Sequence, residues 1–312
     1  MEKKIYDMVI IGGGPGGYTA ALYAARAGLK AIVLEKLSAG GQMALTHQIE
    51  NYPGFPEGID GFTLGEQMQA QAERFGAETE YAEVYAVDLG AEPKAVETSE
   101  GMFYGRTVVM ATGADPRELG VEGEKNLIGR GVAYCAACDG MFYKGKEVVV
   151  VGGGDSAVAE ALILSRIAEK VTIVHRRDTL RAAKVYHEQL MNIENVEFRW
   201  NSVVHEFLKD EGQGGHISGV VLKDIVTGEL SEVPCEGLFV SIGRQPVTQL
   251  VAGQVELDPS GYIIAGESTE TSVPGFYAVG DVRTKVLRQV VTAVADGAMA
   301  VHYAEEYLAG NK

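Results

Sequence analysis

The sequence has few cysteines, no long apolar run and no excess of basic residues, and each of these absences excludes a class of protein. Only three of its 312 residues are cysteines, which is too few for the disulfide framework of a small secreted domain. No segment approaches the apolar length that a bilayer span needs. The net charge of −16 disfavours nucleic acid and anionic membrane as partners, because both repel an acidic surface.

The sequence also has no low-complexity tract and no short-period repeat. Its N-terminus, MEKKIYDMVIIGGG, enters a strand at once, and the apolar stretch there is too short and too glycine-broken for a secretory signal. We therefore expect a cytoplasmic protein. A chain of 312 residues is long enough for two domains, each with its own core.

A glycine-rich signature, Gly12-x-Gly14-x-x-Gly17, follows an apolar strand predicted over 5–11. The glycines permit a tight turn and let the backbone approach a pyrophosphate, and the N-terminus of the helix that follows favours phosphate. A second apolar strand ends in Glu35, whose carboxylate can accept hydrogen bonds from ribose hydroxyls. Because these features come in the required order, this part of the chain is predicted to bind an adenosine with a free 2′-OH.

The same layout occurs a second time. The motif Gly152-x-Gly154-x-x-Ala157 follows an apolar strand predicted over 147–151, and a helix is predicted over 155–168. Alanine at the third glycine position is a permitted substitution. The repeat therefore predicts two dinucleotide-binding domains in one chain.

The two copies end in opposite charge. Where the first has an acid, the second has His175-Arg176-Arg177, with Arg181 a few residues further on. Guanidinium groups suit a phosphate through their charge and their forked donors. The predicted ligand of the second copy is therefore NADPH rather than NADH. A solvated basic turn is the alternative, which the placement at the ribose-reading position disfavours.

A close cysteine pair, Cys135-x-x-Cys138, lies between the two signatures and is followed by Asp139. Such a pair can form a redox-active disulfide with one thiol of lowered pKa, and the carboxylate can exchange a proton with a departing thiolate. Half of a zinc site is one alternative, but it needs a second Cys or His pair, and Cys235 stands alone. Two inert buried thiols are the other. Beside two dinucleotide sites we interpret the pair as redox active, and we predict no metal site.

The end of the chain is predicted to return to the first domain. Residues 272–281, SVPGFYAVGD, have the pattern of a turn and a buried strand that ends in an acid, and ligands of α/β sheets sit at the carboxyl ends of strands. We therefore expect an α/β fold of two Rossmann-like three-layer dinucleotide-binding domains, the second inserted into the first. The predicted boundaries are 1–116 with 246–312 for the discontinuous domain and 117–245 for the insertion, which carries the cysteine pair. Two crossings of this kind make a natural hinge.

With these residues assembled, the chain resembles a low-molecular-weight, bacterial-type thioredoxin reductase over essentially its whole length. The matching segments are GGGPGGYTAALYAARAG at 12–28, GGQM at 40–43, ENYPG at 50–54, ATGA at 111–114, CAACDG at 135–140, GGGDSA at 152–157, HRRD at 175–178, GDV at 280–282 and RQVVTAVADG at 288–297. One departure is visible. The family often has two acids after GGGDSAV, whereas here Ala159 precedes Glu160 and only one acid remains.

The resemblance implies FAD in the discontinuous domain, NADPH in the inserted one, a homodimer, and thioredoxin or a thioredoxin-like protein as the partner. It implies that electrons pass from NADPH through FAD and the Cys135–Cys138 disulfide to thioredoxin. In that arrangement Cys138 lies against the flavin, Cys135 exchanges with the partner disulfide, and Asp139 is the acid/base. A large rotation of the NADPH domain is also implied.

The predicted cofactor contacts include residues of the two glycine signatures, residues of the matching segments and a few others. For FAD they are Gly12, Gly14, Pro15, Gly17, Glu35, Gly41, Gln42, Asn51, Val84, Ala111, Thr112, Gly113, Gly280, Asp281, Arg288, Gln289 and Val290. For NADPH they are Gly152, Gly154, Asp155, Ser156, Ala157, His175, Arg176, Arg177, Arg181, Ile242 and Gly243.

Two other functions remain open at this level. A flavoprotein sensor would use the cysteines only as a redox switch, with slow or absent turnover. A diaphorase or ferredoxin–NADP reductase of related fold would have no use for the Cys135–Cys138 pair.

Overall fold

Short buried strands alternate with helices along most of the chain, as the hydrophobic patterns predict. The structure is a computed structural model and describes residues 4–46, 48–210, 212 and 215–310. The chain divides into two units, Met1–Asp115 with Gln245–Lys312, and the continuous segment Pro116–Arg244. Among the helices of the described residues, none combines the length and the apolar character that crossing a membrane requires.

The elements are numbered in chain order. The strands are β1 (Ile5–Ile11), β2 (Ala31–Glu35), β3 (Glu78–Tyr81), β4 (Val84–Asp88), β5 (Lys94–Thr98), β6 (Gly101–Met110), β7 (Ala114–Pro116), β8 (Val132–Ala133), β9 (Glu147–Val151), β10 (Lys170–Val174), β11 (Val196–Arg199), β12 (Ser202–Asp210), β13 (His216–Asp224), β14 (Leu230–Pro234), β15 (Gly237–Val240), β16 (Arg244–Pro246) and β17 (Phe276–Ala278). The α-helices are α1 (Pro15–Arg26), α2 (Gly61–Arg74), α3 (Ala136–Asp139), α4 (Asp155–Leu164), α5 (Lys184–Met191) and α6 (Val290–Leu308).

The discontinuous unit is built on one mixed sheet of order β3-β2-β1-β6-β5-β4, with β17 also paired to β6. The pairs β1–β2, β2–β3, β1–β6 and β6–β17 are parallel, whereas β5 pairs with β4 and β6 in antiparallel fashion. Because parallel strands end at the same edge, the residues that follow β1, β2, β6 and β17 are brought together there.

Alternation along the strands gives this sheet two buried faces. Met8 and Ile10 belong to a core shared with apolar residues of α1 and α6, such as Ala21 and Ala300. The neighbouring residues of β1 point to the opposite face and belong to a second core, which includes Val282. The sheet is therefore covered on both faces.

The central sheet of the continuous unit is also covered on both faces, but the two covering layers are different. Its parallel sheet has the order β11-β10-β9-β15-β8, and β12, β13 and β14 form a separate antiparallel sheet. Val148 and Val150 of β9 pack in a core with residues of α4 and α5, while Val149 and Val151 pack in a core with residues of the antiparallel sheet. An α-helical layer and a β layer thus enclose the central strands.

The helix predicted over 155–168 is shorter in the structure, because α4 ends at Leu164. The following residues form a tighter turn, and the side-chain amide of Asn195 donates to the carbonyls of Ser165 (3.0 Å) and Ala168 (3.1 Å). A distant side chain therefore satisfies carbonyl groups that a continuing helix would have used.

The ends of the insertion lie close together within their own unit. Arg117 N–H donates to the Gly243 carbonyl at 3.0 Å. In the discontinuous unit, Val247 N–H donates to the Gly113 carbonyl at 3.1 Å. The linking strands β7 and β16 form a two-stranded sheet.

Candidate functional site

The first glycine turn connects β1 to α1 in a conformation that side chains would block. Gly12 has φ +104°, and a Cβ there would lie 2.6 Å from the carbonyl oxygen of Ala111. A Cβ on Gly17 would overlap the carbonyl of Gly12. The helix begins at Pro15 with Gly14 as its N-cap, so its first amide groups border a bare backbone turn of the shape that a pyrophosphate needs.

Glu35 is fixed beside this turn by backbone donors. Its Oε2 accepts from Gly13 N–H at 2.6 Å, and its Oε1 accepts from Leu37 N–H at 3.1 Å. Gly40 N–H in turn donates to the Gly13 carbonyl at 2.8 Å. Since each carboxylate oxygen can accept more than one hydrogen bond, Glu35 keeps acceptor capacity for ribose hydroxyls at the end of β2.

Two loops bring further predicted FAD residues toward the same edge. A short 3₁₀ helix over Gly41–Leu45 follows Gly40, and the Cβ position of Gly41 lies 3.5 Å from Cα of Gly14. Gln42 Nε2 donates to Oδ1 of Asp115 at 2.9 Å. Asn51 Nδ2 donates to Oε1 of Gln289 at 3.0 Å.

A buried ion cluster supports the segment Gly280–Val282, which follows β17. Asp296 of α6 accepts from Gly280 N–H at 2.8 Å, from Arg283 at 2.9 and 2.6 Å, and from Lys285 at 2.8 Å. Burial opposes its charge, but the hydrogen bonds from Arg283 and Lys285 hold the pKa of Asp296 below its usual value. Burial lowers the pKa of Lys285.

This cluster is not among the features that the sequence predicts. The available signal is a single acid inside the apolar run VVTAVADGAMAV, since a charged residue at a buried position of a helix requires partners.

The remaining predicted FAD residues take several positions in the same unit. Ala111, Thr112 and Gly113 follow the end of β6, and Thr112 Oγ1 donates to the Val247 carbonyl at 2.7 Å. The guanidinium of Arg288 lies 4.1 Å from the centre of the Tyr262 ring, and Val290 is the first residue of α6. Asp281 lies in the segment described above, whereas Val84 begins β4 and packs against the core.

The second glycine turn connects β9 to α4. A Cβ on Gly152 would collide with the carbonyl of Ser241, and one on Gly153 would collide with the ring of His175. Asp155 Oδ1 accepts from Ala183 N–H at 3.0 Å. The turn is therefore crowded at Gly152 and Gly153 but open at Gly154. A Cβ on Gly154 would have Nη2 of Arg181 as its nearest neighbour, at 3.6 Å.

The basic cluster that follows β10 combines a buried imidazole with exposed guanidiniums. His175 is 5% exposed, and its Nε2 has no hydrogen-bond partner among the described residues. Burial, together with the charges of Arg181, Arg177 and Arg176, lowers the pKa of His175 and so favours the neutral ring. The three arginines are exposed, and Arg181 N–H is held to the Gly153 carbonyl at 2.6 Å.

The other residues predicted to contact NADPH lie around this turn or at the end of β15. Ser156 is exposed on the first turn of α4, whereas Ala157 is buried. Ile242 and Gly243 closely follow the end of β15, and Gly243 has φ +105°. Since β15 is the parallel neighbour of β9, both ends face the same edge of the sheet.

The cysteine pair lies in this same continuous unit and is oxidised. Cys135 and Cys138 form a disulfide with a Cα–Cα distance of 5.3 Å. The amides of Cys138 and Asp139 donate to the Cys135 carbonyl at 3.2 and 3.0 Å, which closes the short helix α3. Both cysteines and Asp139 are half-buried, so the pair is partly accessible from solvent.

The third cysteine differs in every respect. Cys235 is buried and unpaired, and burial raises the pKa of its thiol to about 12. Its thiolate population at neutral pH is therefore negligible. Within the ranges that the structure describes, no group of three or more His, Cys, Asp or Glu residues is arranged to hold a metal ion.

The family model of the pyridine nucleotide-disulphide oxidoreductases matches residues 6–297, which include both glycine turns and the disulfide. The chain belongs to this family. Two thioredoxin reductases are similar to it over nearly their whole lengths. One from Listeria monocytogenes is 46% identical over 307 residues (98% of this chain, 95% of the relative). One from Bacillus subtilis is 47% identical over 309 residues (98% and 96%).

Solved structures agree. Thioredoxin reductase from Streptococcus pyogenes matches with a TM-score of 0.90 at 43% identity, covering 99% of this chain and 100% of the other. Thioredoxin reductase from Giardia duodenalis matches with a TM-score of 0.90 at 37% identity, covering 98% and 100%. The predicted family and fold class are therefore confirmed, as are a flavoprotein disulfide oxidoreductase activity and the use of FAD and NADPH.

Proposed function

We propose that this chain is an NADPH-dependent thioredoxin-disulfide reductase, in which the Cys135–Cys138 disulfide passes electrons to thioredoxin or a thioredoxin-like protein. The observation that carries the proposal is a partly accessible disulfide, closed by one short helix, in the same unit as the second glycine turn and the three exposed arginines that follow β10. The curated relatives named above are thioredoxin reductases that match almost the whole chain.

The two cofactors are assigned to the two units. We place FAD in the discontinuous domain, 1–116 with 246–312, and NADPH in the inserted domain, 117–245. When bound, the two cofactors supply the hydride and electron-pair chemistry that no side chain can provide. The predicted contacts fit them: the backbone cradle at Gly12 and Gly17 would be filled by any Cβ, and Glu35 is turned toward it.

The inserted domain fits a phosphorylated nucleotide. Three exposed arginines, Arg176, Arg177 and Arg181, follow β10, and Nη2 of Arg181 is the nearest atom to the Cβ position of Gly154 in the turn. A dianionic phosphate is the group that several forked donors recognise together. The buried Nε2 of His175 has no partner among the described residues and supplies one more polar atom there. A free 2′-OH would leave this charge unbalanced.

The chain's own groups carry the exchange with the protein substrate. In the reduced pair, the Cys135 thiolate attacks the substrate disulfide; a new mixed disulfide forms and one substrate thiolate leaves. Cys138 then attacks Cys135, which re-forms the internal disulfide and releases the second substrate sulfur as thiolate. Asp139 follows Cys138 directly and supplies or removes the proton on the sulfur.

The assembly and the location are part of the same proposal. We propose a homodimer, supported by the resemblance over the whole chain, which sedimentation of the purified protein would test. We place the enzyme in the cytoplasm, because a thioredoxin system keeps thiols reduced in that compartment.

An anaerobic titration of the purified holoenzyme with NADPH and then oxidised thioredoxin tests the function. NADPH should bleach the flavin absorbance, and oxidised thioredoxin should restore it. In Cys138→Ser the bleaching should persist while turnover with thioredoxin is lost. Cys235→Ala is the matched control and should turn over normally, because that thiol is buried and protonated. Normal turnover by Cys138→Ser would refute the proposal, and slow or absent turnover by the wild type would favour the sensor.

A further inference from the structure

Glu160 lies on α4, and this helix packs against the disulfide-bearing helix α3. The backbone amide of Ala136 and the hydroxyl of Ser241 lie next to its carboxyl group, and both favour the ionised form. Ala136 immediately follows Cys135, so the carboxyl lies beside the backbone at the first cysteine of the pair. The packing is dense there, since Ala136, Ala157, Ala161 and Leu164 share one core.

One carboxyl oxygen has no compensation for its burial. Oε2 of Glu160 is inaccessible to solvent and has no hydrogen-bond partner among the described residues. A buried carboxylate oxygen without a partner disfavours the ionised form, and a proton on that oxygen removes the charge. The site is thus built to hold either a carboxylate or a carboxylic acid.

The charged groups that face Glu160 come from two other elements. Arg244 of β16 favours the ionised form, and Asp139 at the end of α3 disfavours it. The largest influence is burial, which raises the pKa of Glu160 to about 7 in spite of the Ser241, Arg244 and Ala136 contacts. A carboxyl group with such a pKa changes its charge near neutral pH.

We infer that Glu160 is a positioning residue for the Cys135–Cys138 couple, taking up a proton when the disulfide is reduced and releasing it when the disulfide re-forms. The inference rests on the proposed redox function of the pair. Reduction breaks the sulfur–sulfur bond with two electrons from the reduced flavin and one proton from solvent, and leaves one sulfur as a thiol and the other as a thiolate. The new negative charge beside Ala136 favours protonated Glu160, so one further proton enters from solvent and offsets it. Oxidation reverses both events.

The sign of the effect on the couple follows from linkage. Above its pKa, ionised Glu160 disfavours the thiolate and therefore disfavours reduction. Below its pKa the acid is neutral and has no such effect. Removing the charge in Glu160→Gln should therefore favour the reduced pair at high pH and leave it unchanged at low pH.

The test is a redox equilibration of the holoenzyme in dithiothreitol buffers over about pH 6 to 9, followed by acid quenching, alkylation in denaturant and intact-mass measurement. Oxidised chains are labelled only at Cys235, and reduced chains are labelled at all three cysteines. The ratio of reduced to oxidised chains in Glu160→Gln, relative to the wild type, should be near one at the acid end. The ratio should rise to about 3- to 10-fold at the alkaline end. This corresponds to a rise in the pKa of Glu160 of about half to one unit when the disulfide is reduced.

Two further variants separate this role from a structural one. Glu169→Gln removes an equal charge from an exposed position just beyond α4 and should match the wild type at every pH. Ser241→Ala keeps the carboxyl but removes a donor that favours its ionised form, so in that variant the change in pH dependence should move to higher pH.

Parallel pH profiles for Glu160→Gln and the wild type would overturn the inference, and so would a difference that is the same at every pH. Failure of the underlying function has a different signature. If dithiothreitol reduces the pair and NADPH does not, the proposed reductase activity is wrong while the Glu160 comparison can still be read.

Discussion

The side-chain amide of Asn51 donates to Oε1 of Gln289 at 3.0 Å, although the two residues are 238 positions apart in sequence. Gln289 is the N-cap of α6, and its backbone N–H donates to Oγ1 of Thr292 at 3.1 Å. The loop around Asn51 is thus attached to the start of the last helix, and the sequence predicts that both partners contact FAD.

Asn51→Ala should weaken FAD binding, because the loop and the helix start lose their connection. One net hydrogen bond contributes about 0.5–1.5 kcal/mol, so we expect a Kd for FAD about 2- to 10-fold higher. Flavin fluorescence during reconstitution of the apoprotein measures it. Gln48→Ala removes a bond of the same loop to the Glu57 carbonyl (3.1 Å) and should leave the Kd unchanged; equal losses would assign the effect to the loop in general.

Gly17→Ala should destabilise the discontinuous unit even before any cofactor is added. The new Cβ would overlap the Gly12 carbonyl, and such overpacking costs about 1–3 kcal/mol. Thermal unfolding of the apoprotein, followed by circular dichroism, checks this. Gly14→Ala is the control, because no atom lies within 4 Å of its Cβ position. An unchanged unfolding temperature for Gly17→Ala would contradict the crowding seen in the turn.

Asp296→Asn should destabilise the same unit by about 3–5 kcal/mol, because Arg283 and Lys285 would keep buried charges without a counter-ion. The pKa of Asp296 is lowered in the folded protein, so its stabilising effect is present above the unfolded-state pKa and is lost as pH falls through the folded-state value. Unfolding free energies should therefore fall more steeply toward acid pH in the wild type than in the variant. Glu305→Gln, exposed on the same helix, should retain the wild-type pH dependence.

Replacing both Arg176 and Arg177 by alanine should raise the KM for NADPH by at least about tenfold, because each charge-assisted bond to a phosphate is worth about 1.5–3 kcal/mol. The KM for NADH should change little, since NADH lacks that phosphate. Steady-state kinetics with both nucleotides measure the difference. Arg166→Ala removes an exposed charge beyond the C-terminal end of α4, whereas the glycine turn lies at the N-terminal end of that helix, and this variant serves as the control. Equal losses for NADPH and NADH would contradict the phosphate assignment.

The parts of the fold that follow local rules could be predicted from the sequence. The strands Ile5–Ile11 and Glu147–Val151 have the predicted bounds, because a short apolar run bounded by glycines or charges allows little else. The cysteine pair was also predictable, since two cysteines three residues apart are brought close together by a single helical turn.

Features that depend on distant residues could not be predicted in this way. The end of α4 depends on Asn195, whose side chain takes the carbonyls beyond Leu164, and no pattern within the helix indicates this. The Asp296 cluster requires that α6 meet the loop after β17, and Glu160 gains its surroundings from α3 and from the residue that follows β15. In each case the role of a polar side chain depends on the residues that the tertiary fold places around it.

The two backbone bonds at the crossings have a consequence for engineering. Arg117 meets Gly243 in one unit, and Gly113 meets Val247 in the other, so each unit has its cut ends side by side. The inserted domain could therefore be removed as one piece. A short peptide linker would rejoin the discontinuous domain, and the two termini of the excised domain would lie close together. Insertion and circular permutation are tolerated at such places. The discontinuous domain should therefore accept a different nucleotide-binding domain in place of the present one.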